Sequence, residues 1–330
     1  MVGIKIEGTG MYVPELSVDN EAFTQFLDTS DEWIRTRTGI HTRHFSNGEP
    51  VWLMGERAAR QALEAAKIAP EEIDLVLCTT VSGDFSTPSV ACVIQGKLGA
   101  VNAIAFDVNC ACAGFVYALD MARRYLSSGD MKHVLIVSSE MLSRITNFED
   151  RSSCVLFGDA AGAAVVSAAD KLFTSSLITE GEGAQHIFSR NPNTLNPFCD
   201  PVPAMEFDGF GENKEGCMYM NGREVYKFAT RIMPKCVQAA AEKAGITPEE
   251  IDWIIPHQAN IRIIETAAQR LGLPMERFLV NLQNYGNTSS ASIPVCLNEA
   301  LRDGKIKPGD KICLVGFGAG LIAGAALIEW

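Results

Sequence analysis

No apolar run in this chain is long enough to cross a bilayer without polar interruption, so no membrane-spanning helix is expected. Excess positive charge is missing as well. Lys and Arg number 28 against 40 Asp and Glu, and the formal net charge of -12 argues against broad nucleic-acid binding. The start lacks a basic segment followed by a long apolar stretch. Met1-Val2-Gly3-Ile4-Lys5-Ile6 reads as an opening strand, not a signal peptide, and a cytoplasmic location is the resulting expectation. Zinc-type ligand spacing is also absent. The 10 cysteines include one close pair, Cys110-Ala111-Cys112, with no second pair and no His cluster beside it, so no metal site is expected. Cys78, Cys236, Cys296 and Cys313 sit among aliphatic neighbours and read as reduced, buried thiols. What is present, 47% hydrophobic and 21% charged residues, suffices for one large core or two joined ones.

The chain repeats itself. Ile68-Ala69-Pro70-Glu71-Glu72-Ile73-Asp74 precedes the apolar Leu75-Val76-Leu77, and Ile246-Thr247-Pro248-Glu249-Glu250-Ile251-Asp252 precedes Trp253-Ile254-Ile255. Each reads as a helix end, a Pro turn and a buried strand. Gly129-Asp130 before Val134-Leu135-Ile136-Val137 is matched by Gly309-Asp310 before Ile312-Cys313-Leu314-Val315. Ala161-Gly162-Ala163-Ala164-Val165-Val166 is matched by Ala323-Gly324-Ala325-Ala326-Leu327-Ile328. Helical periodicity marks residues 58–66, 114–126, 225–244 and 261–271. Strand and helix alternate in each half, which predicts an α/β fold with a largely parallel sheet covered by helices. Two such halves, 1–170 and 171–330, would place paired sheets side by side with helices between and outside them. The boundary falls between Ala168 and Leu172. Residues 191–216, rich in Pro, Asn, Gly and charge, read as a long surface excursion.

Four segments carry chemistry. In Phe106-Asp107-Val108-Asn109-Cys110-Ala111-Cys112-Ala113-Gly114-Phe115 an apolar run ends and a helix pattern begins, so Cys112 stands at a strand-to-helix turn. The helix N-terminus there would favour a thiolate and lower the thiol pKa. Local context leaves a nucleophile and a buried structural cysteine equally open. Pro256-His257-Gln258-Ala259-Asn260 puts His257 at the end of the strand 253–255. Asn284-Tyr285-Gly286-Asn287-Thr288-Ser289-Ser290-Ala291-Ser292 follows an expected strand at 278–282 and precedes a helix. By the repeat, Asn287 is expected where Cys112 stands in the first half, so three polar groups on equivalent strand ends can converge. Gly316-Phe317-Gly318-Ala319-Gly320-Leu321 can aim backbone N–H groups at an oxyanion. It lacks the Lys-Ser/Thr ending and following helix of a phosphate loop.

Over essentially its whole length the chain resembles the β-ketoacyl-acyl-carrier-protein synthase III family of thiolase-like condensing enzymes. The resemblance rests on these segments, on Thr29-Ser30-Asp31-Glu32-Trp33-Ile34 with Arg37-Thr38-Gly39-Ile40, and on Phe157-Gly158-Asp159-Ala160-Ala161-Gly162-Ala163. It implies duplicated halves in a five-layer αβαβα arrangement, and a decarboxylating condensation of acyl-coenzyme A with malonyl-acyl carrier protein. Cys112, His257 and Asn287 would be the catalytic set, and the backbone N–H groups of Cys112 and Ala319 the oxyanion hole. Trp33, Arg37, Arg151 and Asn260 would contact coenzyme A, with adenine between Trp33 and Arg151. Thr87, Leu142 and Phe157 would shape the acyl pocket. Lys227, Arg262 and Arg270 would dock the acidic carrier protein. No cofactor is implied, and a homodimer is. Thr87 replaces a frequent Phe, Ile322-Ala323 a frequent Thr-Trp, and Cys110 a small Ala, which bears on primer choice. The competing readings are a triad-bearing relative in a secondary-metabolite pathway and a non-catalytic partner subunit.

Overall fold

The computed structural model describes residues 3–190, 214 and 216–330. The excursion expected at 191–216 lies outside the described residues apart from Lys214 and Gly216. A five-stranded sheet runs in the order Gly3–Tyr12, Asp159–Ala169, His133–Met141, Leu75–Thr79, Ile104–Val108. A four-stranded sheet runs in the order Trp253–Pro256, Lys311–Gly318, Ile322–Glu329, Phe173–Thr179.

Strand alternation divides the apolar side chains between two faces of each sheet. Val76, Cys78, Leu135 and Val137 face the helices Val51–Ala66 and Val90–Leu98 on the outside. Leu75, Leu77, Val134 and Ile136 face inward, sharing one core with Ile255, Ile312 and Leu314 of the other sheet. Between the sheets lie the helices Gly114–Leu126 and Ser292–Arg302. Ile254, Cys313 and Val315 point the other way, onto Gly222–Ala244 and Ile261–Leu271. The layers therefore run helix, sheet, helix, sheet, helix, as the resemblance implied.

Three sequence expectations need correction. The sheets are mixed rather than largely parallel. The pairings of Leu75–Thr79 with both its neighbours and of Trp253–Pro256 with Lys311–Gly318 are parallel, while the other four are antiparallel. Strands joined by a turn as short as 319–321 have no length for a parallel crossover. The helix expected from residue 58 begins at Val51, because the Asp84 carboxylate accepts the N–H groups of Val51 and Trp52 at 3.1 and 2.9 Å. That cap comes from far along the chain.

The strand expected at 278–282 is reduced to one bridge between Phe278 and Ile254, and Leu282–Tyr285 is a short helix. Gln258 causes this. Its side-chain carbonyl accepts the Asn281 N–H at 3.0 Å, and its amide donates to Leu279 O and Pro256 O at 3.2 and 2.6 Å. A buried side chain thus takes up ladder positions that a backbone neighbour would use.

Candidate active site

Cys112 lies in a 3-10 turn, Ala111–Ala113, that leads into the helix Gly114–Leu126. Two glycines of the second half press on this turn. A Cβ on Gly318 would lie 2.7 Å from Cys112 N, and one on Gly316 would lie 3.0 Å from the Ala113 Cα. The strand Lys311–Gly318 can pass Cys112 this closely only without side chains there. The adjoining Ala319 reaches the same cavity as Cys112.

Burial dominates the electrostatics of the thiol. It pushes the Cys112 pKa up to about 12, against the smaller opposing pull of the nearby Ser289 hydroxyl and the Cys112 backbone N–H. The expectation of a lowered pKa is therefore corrected for the unliganded protein: desolvation outweighs the pull of the helix end.

His257 follows Trp253–Pro256 and is 1% exposed. Burial holds its pKa down at about 3, so the ring is neutral at physiological pH. Its N–H donates to Val315 O at 2.7 Å, its Nδ1 lies 2.7 Å from Ser292 Oγ, and Phe317 packs edge-on at 5.3 Å. Ser292 Oγ also accepts the Gln258 N–H at 3.4 Å, and when its own proton is given to Nδ1 the ring proton stands on Nε2. Asn287 is fixed in a similar way. Its backbone bridges Phe157 through Asn287 N–H to Leu156 O at 2.8 Å and Gly158 N–H to Asn287 O at 3.0 Å. Its side-chain carbonyl accepts the Ser289 N–H at 2.9 Å, so the amide NH2 is left as the cavity-side donor.

Cys112, His257 and Asn287 line one cleft of about 1380 Å³. Asn287 is not the repeat equivalent of Cys112, however. The turn Ala111–Ala113 corresponds to Ser289–Ala291, and each leads directly into a central-layer helix. In this register Ser290 matches Cys112, Asn109 matches Asn287, and Thr79 matches His257. The convergence is real, but the two halves supply different positions to it.

Leu142 and Phe157 line the cleft, each nearly buried. Thr87 does not; it is exposed, and residues 80–86 of its loop form the wall instead. Trp33 and Arg37 also line the cleft, with Trp33 held on a helix capped by the Ser30 hydroxyl. The Arg151 guanidinium lies 5.0 Å from the Trp33 ring centre and that of Arg37 lies 4.6 Å away. A ring inserted between two groups needs about 7 Å, twice a van der Waals contact, so the sandwich that the resemblance implies would require Arg151, which does not line the cleft, to swing outward. Asn260 lines the cleft but is engaged. It caps the helix Ile261–Leu271 and donates to Arg37 O at 3.0 Å. The three expected docking cations are exposed and partnered: Lys227 with Glu224, Arg262 with Thr36 O, Arg270 with Thr230 O.

Comparison with known proteins agrees with this geometry. Family models described as 3-oxoacyl-[acyl-carrier-protein (ACP)] synthase III and its C-terminal region match residues 106–181 and 241–330. A β-ketoacyl-[acyl-carrier-protein] synthase III of Clostridium acetobutylicum is 46% identical, covering 100% of this chain and 99% of its own. The chain belongs to the 3-oxoacyl-[acyl-carrier-protein] synthase III family. The crystal structure of the Aquifex aeolicus VF5 synthase III superposes with a TM-score of 0.90 at 41% identity, covering 99% of this chain and 100% of that one. The priming β-ketosynthase of the R1128 polyketide pathway superposes at 0.87 with 34% identity, covering 99% and 96%. As a synthase III, the chain is a thiolase-fold acyltransferase that makes the initiating condensation of fatty-acid synthesis.

Sequence reasoning missed Ser292, Ser289 and Glu140, which surround the three main side chains of this synthase III. The serines stand in a run that also reads as ordinary helix caps. Glu140 is the penultimate residue of the strand His133–Met141, whose earlier part is apolar, and a carboxylate in that position was the one available signal.

Proposed function

We propose that Cys112 takes the acyl group from an acyl-coenzyme A primer and that His257 and Asn287 drive decarboxylation of malonyl-acyl carrier protein. The observation that carries this reading is the single cleft shared by a cysteine, a neutral histidine and an amide oriented as a donor. In the first half-reaction the Cys112 sulfur attacks the thioester carbonyl, the bond to the coenzyme A sulfur breaks, and the oxyanion is met by the N–H groups of Cys112 and Ala319. In the second, loss of CO2 from the malonyl group leaves an enolate. His257 Nε2–H and the Asn287 amide stabilise its oxygen. Both are held in position before substrate arrives, so little reorganisation is needed as charge develops. The enolate carbon then attacks the acyl-Cys112 carbonyl, releasing the thiolate and a 3-oxoacyl carrier product.

Trp33, Arg37, Arg151 and Asn260 are assigned to coenzyme A, and Lys227, Arg262 and Arg270 to the acidic carrier protein. The location is proposed to be cytoplasmic; among the described residues no helix is long and apolar enough to cross a membrane. The 46% identity to a synthase III, against 34% to a polyketide priming enzyme, favours fatty-acid initiation over a specialised pathway. A homodimer is supported by the outer edge of Ile104–Val108. Among the described residues that strand pairs on one side only, and Ile104 and the nearby Val101 are 51% and 72% exposed.

Intact-protein mass spectrometry after incubation with an acyl-coenzyme A tests the central assignment. A single acyl adduct that maps to Cys112, and disappears when malonyl-acyl carrier protein is added, is expected. An adduct elsewhere, or none, overturns it.

A further inference from the structure

The internal repeat supplies a control for one residue of the site. Ala111 and Ser289 occupy equivalent places, the first residue of each 3-10 turn, and both have a positive φ, 43° and 51°. Such a conformation is uncommon outside glycine and costs energy. In the first half an alanine adopts it, so the turn itself has no need of a hydroxyl. Yet Ser289 carries one. Its Oγ is buried in the cleft wall and completes no well-aligned hydrogen bond. A buried unpaired hydroxyl is costly unless it serves something else.

The turn Ser289–Ala291 packs against both the Ala111–Ala113 turn and the strand His133–Met141, so the Ser289 hydroxyl stands between the Cys112 thiol and the Glu140 carboxyl. Glu140 is fully buried. It accepts from Val81 N–H at 3.0 Å, Ser82 Oγ at 2.7 Å, Thr80 Oγ1 at 3.3 Å and Ser290 Oγ at 2.8 Å. Its partners are hydroxyls and one N–H, an arrangement that tolerates either a carboxylate or a carboxylic acid. We propose that the Ser289 hydroxyl relays the Cys112 thiol proton to Glu140 during acylation.

The step balances. The proton leaves Cys112 Sγ and Ser289 passes it to the Glu140 carboxylate. The thiolate attacks the acyl carbonyl and the bond to the coenzyme A sulfur breaks. The departing sulfur takes up that proton, restoring the carboxylate. Burial opposes an anion at Cys112 and at Glu140 alike, and each anion opposes the other, so the pair holds one negative charge more readily than two. His257 does not compete as a charged group, since burial keeps it neutral. Cys110, Cys78, Asp107 and Asp84 are ionisable groups near this pair; the Asp107 carboxylate is engaged by the N–H groups of Val90 and Ala91, and Asp84 pairs with Arg144 at 2.8 Å. Catalytic hydrogen bonds in an unliganded site are commonly long and tighten with substrate, which fits the loose geometry at Ser289.

This inference rests on Cys112 as the acylated nucleophile, and the adduct on the wild-type protein tests that separately. The relay is tested by the pH profile of Cys112 alkylation with iodoacetamide and by single-turnover acylation from acyl-coenzyme A. Ser289→Ala is expected to shift the alkylation profile upward by about one pH unit and to slow acylation at pH 7 about a hundredfold. It should leave the melting temperature near wild type, because Ala111 shows the same backbone accepting alanine. Glu140→Gln decides the sign: a relay predicts slower alkylation at pH 7, whereas a mere like-charge neighbour predicts faster. An unshifted Ser289→Ala profile, or faster alkylation of Glu140→Gln, overturns the proposal.

Discussion

Ser292 Oγ sits 2.7 Å from His257 Nδ1, and both side chains are almost completely buried. A hydroxyl that donates to Nδ1 leaves Nε2–H as the ring's donor toward the cleft. Ser292→Ala is expected to reduce malonyl-carrier decarboxylation about tenfold, with acylation of Cys112 unaffected, since removal of a donor costs more than its misorientation. Separate assays of the two half-reactions check this; equal loss in both would mean that Ser292 acts on the fold instead.

Removing the donors themselves has a larger effect. His257→Ala and Asn287→Ala should each lower decarboxylation by about a hundredfold to a thousandfold and spare acyl transfer. Cys112→Ser should reverse the pattern, losing acylation while the protein stays folded, because a hydroxyl is the weaker nucleophile at neutral pH.

The His257 pKa of about 3 has a consequence for stability. An unfolded chain binds a proton on this ring near pH 6.5, and the folded protein does not until near pH 3. The unfolded state therefore binds more protons in that window, and stability falls as pH drops through it. Denaturant midpoints at pH 7.5 and 5 should show a smaller acid loss in His257→Gln than in wild type. Decarboxylation should show no titration of this ring near pH 6.5.

Gly318→Ala would set a methyl group 2.7 Å from Cys112 N. Overpacking of this kind costs about 1–3 kcal/mol. It would also displace Cys112 and Ala319 relative to each other, so activity should fall further than the melting temperature suggests. A variant with full kcat would show that the two backbones can separate without harm.

Thr87→Phe should narrow the range of primers accepted. Thr87 lies outside the cleft of its own chain, so this effect requires the loop 80–88 to reach a neighbouring subunit. Chain-length profiles of the variant, taken with light scattering for the oligomeric state, check both parts. An unchanged profile removes Thr87 from the pocket.

Much of the architecture was legible because the duplication writes it twice: matched Pro turns, matched Gly-Asp turns and matched Ala-Gly strands. Helices 114–126 and 261–271 have the bounds that their periodicity gives. What escaped involves partners distant in sequence. Gln258 displaces an expected strand through side-chain hydrogen bonds, and Asp84 caps a helix thirty-odd residues earlier in the chain. The position of Cys112 at a turn was legible. The direction of its pKa shift was not, because burial is a property of the assembled cleft. Ser289 gave no signal in a run of polar residues, and its buried hydroxyl stands out only beside Ala111 in three dimensions.

The contact of Gly316 and Gly318 with the Cys112 turn also ties reactivity to assembly. Cys112 and the two donors come from different halves of the repeat, and the strand that completes the site belongs to the half that lacks the cysteine. The cleft is consequently complete only once both halves have docked, and loosening of either half would uncover the thiol.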